Sequence, residues 1–178
     1  MNNGKLIKYK DLFPEIHPSV FLASGVKIVG DVKIDEYSSV WYNTVIRGDV
    51  HYIRIGKMTN IQDLSMLHVT NGKYPLNIGD KVTIAHSVKL HGCTVMNSAL
   101  IGIGAVILDG AVVEEKSMVA AGAVVKQNFV VPSGKLAAGI PARIIRDLSE
   151  EEIANLDASA VRYRDYASIT VNSLKDNI

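Results

Sequence analysis

An aliphatic residue recurs every six positions over most of this chain, and no other feature constrains the fold as strongly. The period shifts by three after the sixth repeat, is interrupted once by a longer insertion, and later loses one residue. The repeated positions are Ile16, Leu22, Ile28, Ile34, Val40, Ile46, Ile55, Ile61, Leu67, Ile78, Ile84, Leu90, Val95, Ile101, Ile107, Val113, Val119 and Val125. An amphipathic helix would instead show apolar residues three and four positions apart. A period of six is typical of hexapeptide parallel β-helices.

The repeat predicts an all-β triangular prism. Each hexapeptide forms one short strand and one turn, and three hexapeptides complete a coil. The aliphatic residue and a small or β-branched residue four positions later, such as Val88, Thr94 or Ala99, are expected to point inward. Eighteen repeats make about six coils, which stack through backbone hydrogen bonds about 4.8 Å apart. A β-sandwich would not explain a period maintained over so many repeats.

The prism is predicted to span residues 16–131, between a lead-in or cap at 1–15 and an extension at 132–178. The extension should contain an α-helix at about 149–168. Ser149 is a good N-cap and Glu152 completes a capping box. One apolar face is expected to pack on the prism, and it consists of Ile153, Leu156, Ala160, Tyr163 and Ala167.

The composition limits the possible partners and compartment. The 178 residues carry a formal net charge of +1 and no long basic run, so neither nucleic acid nor a membrane surface is expected as a partner. We find no stretch of eighteen apolar residues and no signal-peptide pattern. The single cysteine, Cys93, excludes an intrachain disulfide and fits a reducing compartment. We therefore predict a cytoplasmic protein in which Cys93 is a small packed residue.

Three histidines, His68, His86 and His91, are candidate metal ligands. Three imidazoles that leave a fourth position open are the pattern of a catalytic zinc site. Arg47, His68 and His91 each follow the inward aliphatic residue of repeats six, nine and twelve. Because these repeats are three apart, their strands should lie on one face, with the three side chains in a column about 5 Å apart. We predict that His68 and His91 share one metal ion.

His86 is expected on a different face, in the eleventh repeat, together with Gln62 of the eighth. Within one subunit it could not easily reach a metal held by His68 and His91. A second subunit could bring it there if prism edges meet around a threefold axis. The hypothesis is a homotrimer with three sites, each with two ligands from one chain and one from the next.

The sequence resembles the gamma-class carbonic anhydrase family over roughly residues 10–145. The residues that carry the resemblance are Arg47-Gly48-Asp49, Asn60-Ile61-Gln62-Asp63 with His68, and the pair His86 and His91. The resemblance implies that the β-helix is left-handed and that the trimer holds Zn²⁺, or Fe²⁺ or Co²⁺, at its interfaces. It further implies a lyase in which metal-bound hydroxide hydrates carbon dioxide reversibly to bicarbonate.

The resemblance also implies roles for individual residues. His68, His86 and His91 bind the metal. Gln62 orients the hydroxide by hydrogen bonding, Asn60 positions an active-site group, and Arg47 is counted with them as catalytic. The interface is held by Arg47, Asp49 and Asp63, and a bidentate Arg47–Asp63 pair between chains is expected.

The chain departs from active members of that family in one respect. They carry an acidic loop whose glutamates shuttle protons, whereas Val50 follows Asp49 here and the insertion at 70–77 has no carboxylate. Tyr74 and His51 are weak candidates for a relay, so regeneration by buffer or a low activity is expected. The alternatives are a metal-dependent thioesterase, a hexapeptide acyltransferase, and a non-catalytic metal-binding trimer.

Overall fold

A computed structural model describes residues 3–175 as a left-handed parallel β-helix followed by one α-helix. The elements, in chain order, are β1 (Lys5–Ile7), β2 (Glu15–Ile16), β3 (Phe21–Leu22), β4 (Lys27–Ile34), β5 (Ser39–Val40), β6 (Val45–Ile55), β7 (Asn60–Ile61), β8 (Met66–His68), β9 (Leu76–Ile78), β10 (Thr83–Ile84), β11 (Lys89–His91), β12 (Thr94–Val95), β13 (Leu100–Ile101), β14 (Val106–Ile107), β15 (Val112–Val113), β16 (Met118–Val119), β17 (Val124–Val125), β18 (Val130–Val131), β19 (Lys135–Gly139), β20 (Ala142–Asp147) and α1 (Glu150–Lys175).

The strands form three faces and about seven turns, one more than the six coils predicted. The long strands β4 and β6 pass around a corner and contribute to the first and second faces. The extra turn comes from three strands beyond the eighteen predicted repeats, β1, β18 and β19, and Val131 of β18 pairs with Val113. Leu6 of β1 pairs in register with Ile28, although it lies outside the six-residue period. At the other end, Ala137 of β19 pairs with Val119 on the third face, where a small residue replaces the expected aliphatic one.

The interior of the prism follows the predicted pattern closely. Leu67 and Leu90 are fully buried and pair with each other, and the aliphatic residues of the other coils stack in the same way. One inward position was predicted wrongly: the partly exposed Thr94 points outward, and Cys93 is buried in its place. The lost residue before Val95 shifts the small inward position by one. Burial raises the pKa of the Cys93 thiol to about 12, so it behaves as a packed apolar group.

The corner between the third and first faces is made by residues in left-handed backbone conformations. Leu64, Ser87 and Gly104 occupy equivalent positions in successive coils, with φ of 61°, 59° and 68°. The backbone N–H of each donates to a carbonyl of the preceding coil. The backbone therefore continues the ladder around the corner, and only glycine adopts this conformation without strain.

The C-terminal helix lies against the third face, next to β5, β7 and β10. Its start has the predicted capping box, since the backbone N–H of Glu152 donates to Ser149 Oγ and that of Ser149 to Glu152 Oε2. The helix extends to Lys175, beyond the expected end near 168, because Val171 adds another turn that packs on the core. No helix within residues 3–175 is long and apolar enough to cross a lipid bilayer.

A substitution at Gly104 tests the conformation of the corner. A Cβ added there would meet no atom within 4 Å, so Gly104→Ala introduces backbone strain without a clash. We expect a loss of about 1 kcal/mol in the free energy of unfolding, measured from urea denaturation. Gly104→Asn is the control, because asparagine tolerates this conformation better. Equal stability of Gly104→Ala and wild type would contradict the assignment.

Candidate metal centre

His68 and His91 lie side by side on the first face, where the repeat predicted them. Strands β8 and β11 pair with Leu67 opposite Leu90 and His68 opposite His91. Because the two leucines point inward, the histidines that follow them point outward. His68 Nδ1 is 3.1 Å from His91 Nε2, and the ring centroids are 5.1 Å apart.

Each of these imidazoles has a carboxylate on its other nitrogen. Asp49 Oδ1 lies 3.1 Å from His68 Nε2, and Asp109 Oδ1 lies 2.7 Å from His91 Nδ1. An ionised carboxylate only accepts hydrogen bonds, so the nitrogen that faces it carries the proton of a neutral imidazole. The two nitrogens that face each other are then both unprotonated.

This arrangement fits a metal ion. Two nitrogen lone pairs that face each other at 3.1 Å repel unless a proton or a cation lies between them. Two zinc–nitrogen bonds at a tetrahedral angle would place the nitrogens about 3.3 Å apart, close to the observed spacing. The donor set, neutral imidazole nitrogen, is one that zinc, iron and cobalt accept.

Burial of His68 favours its neutral form. Burial lowers the pKa of His68 below its ordinary value, and the nearby positive charge of Arg47 acts in the same direction against the hydrogen bond to Asp49. Burial acts to raise the pKa of Asp49, but hydrogen bonds from Arg47 and His68 outweigh it and hold that pKa below its ordinary value. Near neutral pH the pair is therefore a neutral imidazole beside an ionised carboxylate.

His86 lies apart from the other two histidines, at the corner between the third and first faces. Its Nδ1 is 2.8 Å from Asp63 Oδ2, so by the same reasoning its Nε2 is the free donor atom. The side chain is 46% exposed. Within residues 3–175 of a single chain, no three His, Cys, Asp or Glu side chains are grouped so that they could hold a metal ion.

Gln62 is held by a chain of buried hydrogen bonds that reaches the C-terminal helix. Gln62 Nε2 donates to Asn60 Oδ1 at 3.1 Å, and Asn60 Nδ2 donates to Thr83 Oγ1 at 2.9 Å. Thr83 Oγ1 is in turn 3.1 Å from Ser159 Oγ of α1. Asn60 Nδ2 also lies 3.4 Å from the carbonyl oxygen of Val82, which can only accept. The nitrogen of Asn60 must therefore face Val82, which leaves its oxygen to face Gln62. The Gln62 nitrogen donates to that oxygen, so Gln62 presents its Oε1 as an acceptor.

Arg47 contacts Asp49 of its own strand, and Asp63 contacts His86. The structure of one chain thus pairs each member of the expected Arg47–Asp63 pair with another residue. The two residues lie on different parts of the prism, Arg47 on the first face and Asp63 at the corner, and the pair between chains stays a prediction.

A groove of about 400 Å³ opens beside His86, between the prism and α1. Its walls are mostly aromatic: Trp41 packs edge-on against Tyr163 at 5.8 Å, and Tyr163 against Tyr166 at 5.6 Å. Burial and the charge of Asp63 raise the pKa of Tyr163. The groove can take a ligand larger than a few atoms.

Sequence reasoning identified the histidine pair but missed several residues around it. Asp109, Thr83 and Ser159 contact predicted site residues and were not singled out. Asp109 lies two residues after Ile107, which stacks on Leu90, so the register places it near His91 but does not give the direction of its side chain. Ser159 offered none, since it depends on how the helix is rotated against the prism.

Comparisons with known proteins agree with this structure, although no family model matches the chain. Protein YrdA of Escherichia coli is 50% identical over 161 residues, which cover 87% of this chain and 88% of that protein. A probable carbonic anhydrase of Methanocaldococcus jannaschii is 55% identical over 148 residues, covering 83% and 92%. Gamma carbonic anhydrase 1 of Arabidopsis thaliana mitochondria is 48% identical over 167 residues, covering 91% and 61%.

Solved structures share the fold. A Bacillus cereus protein, whose name assigns it provisionally to the acetyltransferases, superposes with a TM-score of 0.92 at 41% identity. The match covers 95% of this chain and 98% of that protein.

Removing the Thr83 hydroxyl tests the buried chain of hydrogen bonds. Thr83→Val leaves Asn60 Nδ2 with only its long contact to the Val82 carbonyl and removes the bond to Ser159, and we expect a loss of about 1–3 kcal/mol in the free energy of unfolding. The control is Thr94→Val at the same strand position, because the Thr94 hydroxyl makes no side-chain hydrogen bond in the described part of the chain. Guanidinium denaturation of both variants should separate them, and similar losses would contradict the network.

Proposed function

The chain belongs to the gamma-class carbonic anhydrase family, and we propose on that premise that it catalyses reversible hydration of carbon dioxide to bicarbonate with a bound metal ion. The observation that carries the proposal is that His68 Nδ1 and His91 Nε2 face each other 3.1 Å apart. A carboxylate behind each ring holds it in the form that binds a metal.

His68, His91 and a third imidazole, His86 of a neighbouring chain, would hold Zn²⁺, or Fe²⁺ or Co²⁺. A divalent ion held by three imidazoles supplies a Lewis acid that lowers the pKa of water to near 7. The nitrogens that would bind the metal are His68 Nδ1, His86 Nε2 and His91 Nε2, since the other nitrogen of each ring faces Asp49, Asp63 or Asp109.

The requirement for a second chain is supported by the separation of His86 and by an apolar surface around it. Leu64 and Ile103, in the turns on either side of His86 at the same corner, are 61% and 56% exposed, and Met66 on the first face is 41% exposed. Large apolar side chains grouped in this way are typical of surfaces that pack against another protein. We propose a homotrimer in which this corner meets the first face of the next chain.

Gln62 and Asn60 would orient the attacking water. The Asn60 oxygen accepts from the Gln62 amide, which leaves Gln62 Oε1 to accept a hydrogen bond from the substrate water. No donor within residues 3–175 bonds to that oxygen. Because both side chains are buried and the orientation of their amides is fixed by hydrogen bonds, Gln62 Oε1 is in place before substrate arrives. The proton leaves to buffer, because Val50 follows Asp49 and residues 70–77 contain no carboxylate.

The groove next to His86 supports a second candidate, hydrolysis or transfer of an acyl group. Carbon dioxide has three atoms and needs no aromatic groove of about 400 Å³, whereas an acyl chain or a thioester would fill one. The likeness to a protein named among the acetyltransferases is consistent with this second candidate. A carbon dioxide hydration assay beside an acyl-thioester hydrolysis assay, each with and without chelator, separates the two. Metal binding without either activity would indicate a non-catalytic trimer.

Mixing two inactive variants tests whether the site is shared between chains. His86→Ala and His91→Ala should each abolish hydration and metal binding. Random co-assembly of equal amounts should restore about a quarter of the wild-type sites, because each mixed cyclic trimer contains one intact site. Metal content and hydration of the mixture measure the recovery. Mixing two preparations of His91→Ala is the control, and no recovery in the real mixture would contradict a shared site.

Replacing Arg47 tests the proposed interface. Arg47→Ala removes the cation expected to pair with Asp63 of the next chain. We expect the dissociation constant of the trimer to rise at least about tenfold. The matched control is Arg54→Ala, which breaks the Arg54–Asp31 ion pair of 2.7 Å on another face. Analytical ultracentrifugation over a dilution series measures both, and a trimer insensitive to the Arg47 change would remove the proposed role.

A further inference from the structure

We propose that Asp109 is a positioning residue for the metal centre, fixed in turn by Thr70 of the loop at 69–75. The inference rests on the proposed function, since it assumes that His91 is a metal ligand. Asp109 lies in the turn between β14 and β15, one coil below His91. It therefore reaches the histidine from outside the column of Arg47, His68 and His91.

Both carboxylate oxygens of Asp109 make hydrogen bonds. Oδ1 lies 2.7 Å from His91 Nδ1, and Oδ2 accepts from Thr70 Oγ1 at 2.8 Å. The carboxylate is thus held at two points and cannot rotate away from the imidazole. Asp49, the partner of His68, differs because it also pairs with Arg47. Within residues 3–175 no lysine or arginine forms an ion pair with Asp109, and His91 is its one ion-pair partner there.

The loop at 69–75 is shaped to hold this contact. Thr70 and Tyr74 close the loop with a backbone hydrogen bond of 3.1 Å, and the Tyr74 side chain lies back over Gly92 and Gly110. A Cβ at Gly92 would come within 2.4 Å of Asp109 Oδ1 and 2.7 Å of Tyr74 Cβ. A Cβ at Gly110 would come within 3.0 Å of the Tyr74 ring. The two glycines leave the space in which the loop and Asp109 meet.

The consequence for His91 is a single tautomer and a single ring orientation. Its Nδ1 proton is donated to Asp109, so its Nε2 is unprotonated and faces His68. A carboxylate on the outer nitrogen also makes the inner nitrogen a stronger donor to a metal, and losing such a partner typically weakens metal binding 10–100-fold.

The test uses the full-length protein, zinc as the probe and two readouts. Asp109→Ala should weaken zinc binding about 10–100-fold in competition with a chromophoric chelator. Asp109→Asn should lose less, because its amide oxygen can still accept from His91. Thr70→Val should give a smaller loss in the same direction, since it removes only the hydroxyl that fixes the carboxylate. Asp31→Asn, which alters a carboxylate paired with Arg54 elsewhere, should bind zinc as wild type does.

The second readout is the tautomer of His91 in the metal-free protein, from ¹⁵N NMR of histidine-labelled samples. Wild type should carry the proton on Nδ1, and Asp109→Ala should shift it toward Nε2. Wild-type affinity together with a wild-type tautomer in Asp109→Ala would overturn the proposal. If that variant does not fold, the same result in Asp109→Asn and Thr70→Val would overturn it.

The outcomes separate this inference from the proposed function. Weaker zinc binding in Asp109→Ala, with no carbon dioxide hydration in any variant, would support the positioning role and refute the reaction. In the opposite case, the wild-type protein hydrates carbon dioxide, and Asp109→Ala keeps the wild-type zinc affinity and His91 tautomer. That result would support the reaction and refute the positioning role.

Discussion

The stacking of aliphatic side chains inside the prism determines which residues of its strands face outward. Leu67 rests against Leu90 in register and both are fully buried. Because side chains alternate across a strand, the residues that follow these leucines must emerge together on the same face. A slip of one residue would turn both histidines inward and expose the leucines, which the apolar interior opposes. The geometry of the candidate site is therefore a consequence of core packing.

The electrostatics of the site follow from the carboxylates that surround this pair. Asp49, Asp63 and Asp109 each face one nitrogen of a different histidine, and each leaves the other nitrogen unprotonated. Burial lowers the pKa of His68, which favours its neutral form beside His91. Among the described residues of one chain, no cationic side chain is recorded between the two nitrogens, and a bound cation would offset their repulsion. The proposed metal ion would offset this repulsion, and the proposed trimer would supply His86 as the third ligand.

Much of the fold could be read from the sequence because one period encodes it. The period identified the faces, the pairing of His68 with His91, and the separation of His86. It missed β1, where Leu6 falls outside the spacing, and the count ended before Val131 of β18 and Ala137 of β19, a residue too small to register as a repeat. The contacts of Asp109 and Ser159 were also missed. A period says which residues face outward, but the direction of a side chain in a turn and the rotation of a helix depend on packing.

The crossing of Tyr74 over Gly92 and Gly110 links three distant stretches of the sequence. A methyl group at Gly92 would meet Asp109 Oδ1 and Tyr74, and one at Gly110 would meet Asn128 Oδ1 as well as the Tyr74 ring. Both glycines also have positive φ, of 53° and 67°, which other residues adopt only with strain. A chain that lost the insertion would therefore gain little freedom at either glycine, because the backbone and the side chain of the next coil would still restrict both positions.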